Sequence, residues 1–283
     1  MGQEIDLSTS LTVDSRPVVL ITGCSGGIGE ATAMRFAREG YRVYASMRNP
    51  SDISESLSET LKEGGGHGVL ELDVDDRVSV KSAIKQLCQE TRRIDVLVNN
   101  AGISSISSVE EIDMDEAKAV FETNVFGALR VTQEVLPIMR GLRGGTLVNV
   151  SSVAGRLVTA GHGIYAASKH ALEAISESLA IETSQFGVRV VLIEPGFIST
   201  TILNKADSIV IDDTVYGQHL ERLVSMYKEA QLKADSPEVV SDCILKAVND
   251  PAGKFRYVVG SGAQQTLNER ELLTDEEWIN GKL

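Results

Sequence analysis

Cysteine is scarce in this chain: three among 283 residues, Cys24, Cys88 and Cys243, with no C-x-x-C pair. That excludes a disulfide framework and a thiolate metal cluster, and it fits three reduced thiols in a cytosolic protein. The four histidines, His67, His162, His170 and His219, are scattered, so no metal site is expected. Basic residues are outnumbered, 27 against 40 acidic, for a formal net charge of −13. Such a surface repels a phosphate backbone and excludes nucleic acid as a partner, yet one loop and one helix end suffice to hold a nucleotide. No apolar run approaches the ~18 to 20 residues that a membrane span needs. Met1 to Arg16 is polar and acidic, without the basic and apolar regions of a signal peptide. It reads as a flexible N-terminal extension, and a cytoplasmic protein without a membrane partner is expected. No repeat and no Pro- or Gly-rich linker divides residues 17–283, which read as a single domain.

What is there is alternation. Strand candidates fall at Val18–Thr22, Arg42–Ser46, Gly68–Leu72, Val96–Asn99, Thr146–Val150, Arg189–Ile193 and Arg256–Val259. Several are continuous apolar runs, as strands covered on both faces are. Helical patterns lie between them at 28–39, 77–91, 114–139, 164–185 and 237–248. The expected fold class is α/β: a doubly wound parallel sheet of about seven strands flanked by helices. Residues 200–235 interrupt the alternation with a helical insert of mixed polarity. Ligands of open α/β sheets bind at the carboxyl ends of the strands, so an insert after the sixth strand is placed to cover them as a lid.

The first strand runs straight into Thr22-Gly23-Cys24-Ser25-Gly26-Gly27-Ile28-Gly29, and a helix follows. Glycines there let the backbone turn tightly and approach a pyrophosphate at the helix N-terminus. This points to a Rossmann-type dinucleotide site using Gly23, Ser25, Gly27, Ile28 and Gly29. An NAD site places an acidic residue at the end of the second strand to hold the ribose 2′-hydroxyl. This chain reads Ala45-Ser46-Met47-Arg48-Asn49 instead. A guanidinium at Arg48 suits the 2′-phosphate of NADP(H), and Ser46 could add a hydroxyl donor.

Tyr165 and Lys169 stand four apart at the start of a helical stretch and so share one helix face. A phenol is a poor base at neutral pH unless a nearby cation favours its anion, and Lys169 is placed to do that. Ser152, just past the fifth strand, can hydrogen-bond a substrate oxygen where negative charge develops, with adjacent Ser151 as the alternative.

The spacing T-G-x-x-x-G-x-G, with Tyr-Ala-Ala-Ser-Lys and Asn99-Asn100-Ala101-Gly102, resembles the short-chain dehydrogenase/reductase family over about residues 17–260. The resemblance implies that Ser152, Tyr165, Lys169 and Asn124 form a catalytic tetrad, with Asn124 kinking its helix. It implies that Asp73 and Val74 contact the adenine, and that Asn100, Ala101 and Gly102 steady the adenosine side. It implies that Pro195 and Gly196 lie along the nicotinamide, with Ile198 and Thr200 touching the carboxamide and phosphates, and that helices 114–139 and 164–185 pair in a homodimer or homotetramer. The Ala45–Pro50 segment, the long insert and Phe255–Gly260 resemble the 17β-hydroxysteroid and retinol dehydrogenase branch. The expected substrate is therefore a fairly bulky carbonyl compound or its alcohol. Two alternatives stand beside this reading: an NAD-linked alcohol dehydrogenase, and a non-enzymatic dinucleotide sensor.

Overall fold

The computed structural model describes residues 14–63, 68–200 and 214–281. Residues 1–13, most of the expected N-terminal extension, and 201–213, within the expected lid, lie outside the described residues. Strand β1 (Val18–Thr22) shows why its run is apolar throughout. Val18 and Leu20 pack on one face of the sheet with Leu87, Val131 and Met139, and Val19 and Ile21 pack on the other with Phe36, Val240 and Ile244. Successive side chains of a strand point to opposite faces, so a run without polar breaks needs a helical layer on each side.

Those layers sit on a seven-stranded sheet. Its other strands are β2 (Arg42–Met47), β3 (Gly68–Glu71), β4 (Val96–Asn99), β5 (Gly145–Val150), β6 (Val188–Pro195) and β7 (Arg256–Val259). The order is β3-β2-β1-β4-β5-β6-β7, with every neighbouring pair parallel. The order reverses between β1 and β4, which opens a crevice at the carboxyl ends of those strands. One layer includes α1 (Gly27–Arg38) and α8 (Pro237–Asn249), and the other α3 (Arg77–Thr91) and α5 (Ala128–Leu142).

Three features depart from the sequence expectation. The helix expected over 114–139 is α4 (Met114–Phe121), then a π-helical segment at Glu122–Gly127, then α5. A short α2 (Glu55–Glu63) lies between β2 and β3, held by the one-turn pair Leu57 and Leu61. Past β7 the chain adds α9 (Ala263–Leu272) and α10 (Asp275–Asn280). The latter opens with a capping box between Thr274 and Glu277 and buries Trp278. Within the 200–235 stretch, α7 (Gly217–Leu232) buries Leu220, Leu223, Val224 and Tyr227 at helical spacing.

Candidate active site

The glycine turn after β1 is set by close approach. At Gly29, an added Cβ would collide with the carbonyl oxygen of Gly23 and lie 2.5 Å from the amide nitrogen of Asn100. Gly23 has φ +73°, and its Cβ would lie 2.9 Å from the Ala101 backbone. The turn is therefore pressed against the end of β4. The Asn100 side chain donates to the carbonyls of Thr22 and Gly23 at 2.9 and 3.1 Å, and the Thr22 hydroxyl accepts from the amides of Asn100 and Ala101. Helix α1 starts from Gly26 without a side-chain cap, which leaves its first N–H groups for an anion.

Arg48, at the end of β2, is exposed and has no ion pair or hydrogen bond among the described residues. Ser46 departs from expectation. It is fully buried, and its hydroxyl donates to the carbonyl of Ile21 at 3.0 Å, so it serves the sheet and cannot reach a phosphate. The reason is position: Ser46 lies inside β2 beside β1, whereas Arg48 lies one residue past the strand and is exposed.

The π-helical segment carries Asn124 into the interior. Its side-chain amide donates to the carbonyl of Ile103 at 2.9 Å and to the Ser168 hydroxyl at 3.0 Å, and its Oδ1 accepts from the amide of Ile103. Asn124 thereby ties the segment after β4 to α6 (Gly163–Thr183). A Cβ on Gly102 would lie 3.2 Å from Asn124 Oδ1 and 3.7 Å from Lys169 Nζ.

Helix α6 presents Tyr165 and Lys169 on one face. The ammonium of Lys169 lies 5.7 Å from the centre of the Tyr165 ring and donates to the carbonyl of Val150 at 2.9 Å. Burial lowers Lys169 to about 8, partly countered by the Glu173 carboxylate one turn on. Burial also pushes the Tyr165 phenol up to about 12, against a hydrogen bond from Ser152 that lowers it. Desolvation therefore outweighs the Ser152 hydrogen bond and the phenol is raised, the reverse of the expectation from spacing alone. Ser152 caps the 3-10 turn Val153–Gly155 and donates weakly to the carbonyl of Pro195 at 3.4 Å. Ser151 is buried, and its hydroxyl has no hydrogen-bond partner among the described residues.

After β6, the amide of Gly196 donates to the carbonyl of Val259 at 2.9 Å, and Ile198 pairs with Asp235. Thr200 closes back on the glycine turn, with its methyl 3.2 Å from a Cβ built on Gly27. The result is one cavity of about 630 Å3. Among its lining residues are Gly23, Ser25, Gly27, Ile28, Arg48, Asp73, Val74, Asn100, Ala101, Gly102, Ser152, Tyr165, Lys169, Pro195, Gly196, Ile198 and Thr200. Of the residues expected from sequence, Gly29 and Asn124 stand behind its wall. The lining also holds residues the sequence did not single out: Ser104, Leu157, His162, Phe197, Met226, Tyr227, Glu269 and Trp278. Of these, Phe197 lies between Gly196 and Ile198, Ser104 two residues past Gly102 and His162 three residues before Tyr165, all beside motifs.

The donors at the glycine end suit a dinucleotide phosphate: an uncapped helix start, a glycine turn that admits no Cβ, and an unpaired guanidinium. The sequence matches the short chain dehydrogenase family over residues 17–209. It is 35% identical over 275 residues to the uncharacterized oxidoreductase YusZ of Bacillus subtilis, covering 93% of this chain and 96% of that protein. It is 36% identical over 251 residues to 17-beta-hydroxysteroid dehydrogenase type 1 of Mus musculus, covering 85% of this chain and 72% of that protein. The crystal structure of a short-chain dehydrogenase from Streptomyces avermitilis superposes with a TM-score of 0.79 at 28% identity, over 91% of this chain and 93% of that one.

Proposed function

As a member of the short chain dehydrogenase family this chain is an oxidoreductase that binds a nicotinamide dinucleotide, and we propose that it uses NADP(H) to interconvert a carbonyl compound and its alcohol with Tyr165 as the acid/base. Bound cofactor supplies or takes the hydride. Gly23, Ser25, Gly27, Ile28 and Thr200 hold its phosphates, Arg48 its 2′-phosphate, Asp73 and Val74 its adenine, and Pro195, Gly196 and Ile198 its nicotinamide end.

The substrate oxygen sits between the hydroxyls of Ser152 and Tyr165. A phenol held at about 12 is protonated near neutral pH, so Tyr165 enters the cycle as a proton donor. Lys169, lowered to about 8, lies beside the phenol ring, and Asn124 and Ser168 hold the backbone of Tyr165.

The observation that carries this reading is convergence: Ser152, Tyr165 and Lys169 line the same cavity as the glycine turn and Arg48. NADPH consumption over ketones of graded size and polarity tests it. No consumption with any of them would count against the reading. We propose in addition that α7 covers the substrate end, since its Met226 and Tyr227 line the cavity. Hydrogen exchange with and without ligands reads that. We also propose pairing of α5 and α6 between copies; Phe126, 49% exposed just before α5, offers an apolar contact, and light scattering reads the state.

A further inference from the structure

Beyond Tyr165, the cavity contains a second set of hydroxyls that the reaction as described does not use. The Nε2 of His162 lies 3.1 Å from the Ser104 hydroxyl, and its Nδ1 lies 2.7 Å from the Tyr227 hydroxyl. All three residues are buried, and all three line the cavity. The imidazole stacks at 4.8 Å and 30° on the ring of Tyr165. Phe197 packs edge-on against Tyr227 from the other side, at 5.3 Å.

Burial lowers His162 to about 4, so its ring is neutral near neutral pH. A neutral imidazole has one donor and one acceptor nitrogen, which gives the line Ser104–His162–Tyr227 a direction. If Ser104 donates to Nε2, then Nδ1 donates to Tyr227, and the hydrogen of the Tyr227 hydroxyl is left over. If Tyr227 donates to Nδ1, then Nε2 donates to Ser104, and the Ser104 hydrogen is left over. Neither hydroxyl has another hydrogen-bond partner among the described residues. In both tautomers one hydroxyl hydrogen is left over from the line and is available to a group that enters the cavity.

The chemistry around it selects the acceptor. Leu157, Phe197, Met226 and Trp278 add apolar surface to the same cavity, and Phe197 packs directly on Tyr227. Lys169, beside Tyr165, already donates to the carbonyl of Val150, and the line itself offers only neutral hydroxyls and a neutral ring, which suit an uncharged oxygen.

We infer, on the strength of the function proposed above, that the substrate bears a second, uncharged oxygen, a hydroxyl or carbonyl on a carbon near the reacting one, and that the Ser104–His162–Tyr227 line holds it. The imidazole of the line stacks on the ring of the reacting phenol, so the two oxygens are held near each other and the carbonyl is oriented by both.

The test uses pairs of ketones that differ only in a hydroxyl or carbonyl oxygen on a neighbouring carbon. Wild type, Tyr227→Phe and Ser104→Ala are compared with NADPH, after cofactor titration has shown each variant folded. Intrinsic reactivity of a ketone is common to all three proteins. The ratio of kcat/KM for the oxygenated over the plain ketone, compared between proteins, therefore isolates the contact. Loss of one neutral hydrogen bond predicts a fall of about three- to tenfold in that ratio in at least one variant. Ratios within about twofold of wild type in both variants would overturn the inference. If wild type turns over no ketone at all, the proposed function fails, and the inference is read by calorimetry instead. The oxygenated member of each pair should then bind the NADP+-saturated wild type more tightly than it binds the variants, and equal binding to all three would refute it.

Discussion

Acid should destabilise this fold through His162, and the size of the effect follows from its burial. In the folded protein the ring titrates at about 4; in the unfolded chain it titrates near about 6.5. A histidine with a depressed folded pKa favours the unfolded state once that state takes up the proton. The stability tied to it is present above the unfolded pKa and is lost as pH falls from about 6.5 towards about 4. Over that whole window the loss amounts to about 3 kcal/mol at 1.36 kcal/mol per unit, and by about pH 5 it has reached about 2 kcal/mol. Carboxylates titrate in the same range, so the comparison must be made against His162→Gln, which keeps a hydrogen-bonding amide and does not titrate. Urea unfolding of both proteins at about pH 8 and about pH 5 gives the difference. Wild type should lose about 2 kcal/mol more than the variant between the two pH values. Parallel losses would show that the imidazole is not held neutral, and would remove the directional argument for the Ser104–His162–Tyr227 line.

Arg48→Ala should weaken NADPH by the value of a charge-assisted contact, about 1.5 to 3 kcal/mol, and leave NADH nearly unchanged; titration of both cofactors checks this, and an unaltered preference contradicts the role of Arg48. Gly29→Ala should cost about 1 to 3 kcal/mol in thermal or urea stability and loosen cofactor binding, because the methyl meets the Gly23 carbonyl and the Asn100 amide; a wild-type melting curve would refute the packing argument. Ser152→Ala should lower kcat on the order of a hundredfold while Ser151→Ala leaves the reaction close to wild type, and steady-state kinetics on the two variants decides which serine faces the substrate.

The sheet was legible because burial on both faces writes itself into sequence as unbroken apolar runs, and all seven expected strands are present within a few residues of the expected ends. The cofactor turn was legible because Gly23 and Gly29 answer to backbone contacts that no other residue meets. Helix α2 was not, since two leucines on nine residues give too short a period to detect. Nor was the π-helical segment around Asn124, which shifts backbone hydrogen bonds without changing the pattern of side chains. Tyr227 is buried at helical spacing with Leu220, Leu223 and Val224, a pattern that core packing alone accounts for. Its place against His162 joins residues 65 apart in the chain, which no local pattern reports. The phenol of Tyr165 shows the same limit in energetic terms. Spacing reveals the lysine beside it, whereas the desolvation that dominates its pKa comes from the surrounding wall.

The account turns on Tyr165 as the group that protonates the substrate oxygen. Tyr165→Phe removes one hydroxyl and almost no volume, so the variant should fold and bind NADPH as wild type does. Single-turnover NADPH oxidation, with cofactor binding measured on the same samples, isolates the missing proton. Loss of a general acid predicts a fall of about 100- to 10,000-fold in turnover at unchanged cofactor affinity. A variant that binds NADPH normally and retains turnover within about tenfold of wild type would contradict the mechanism.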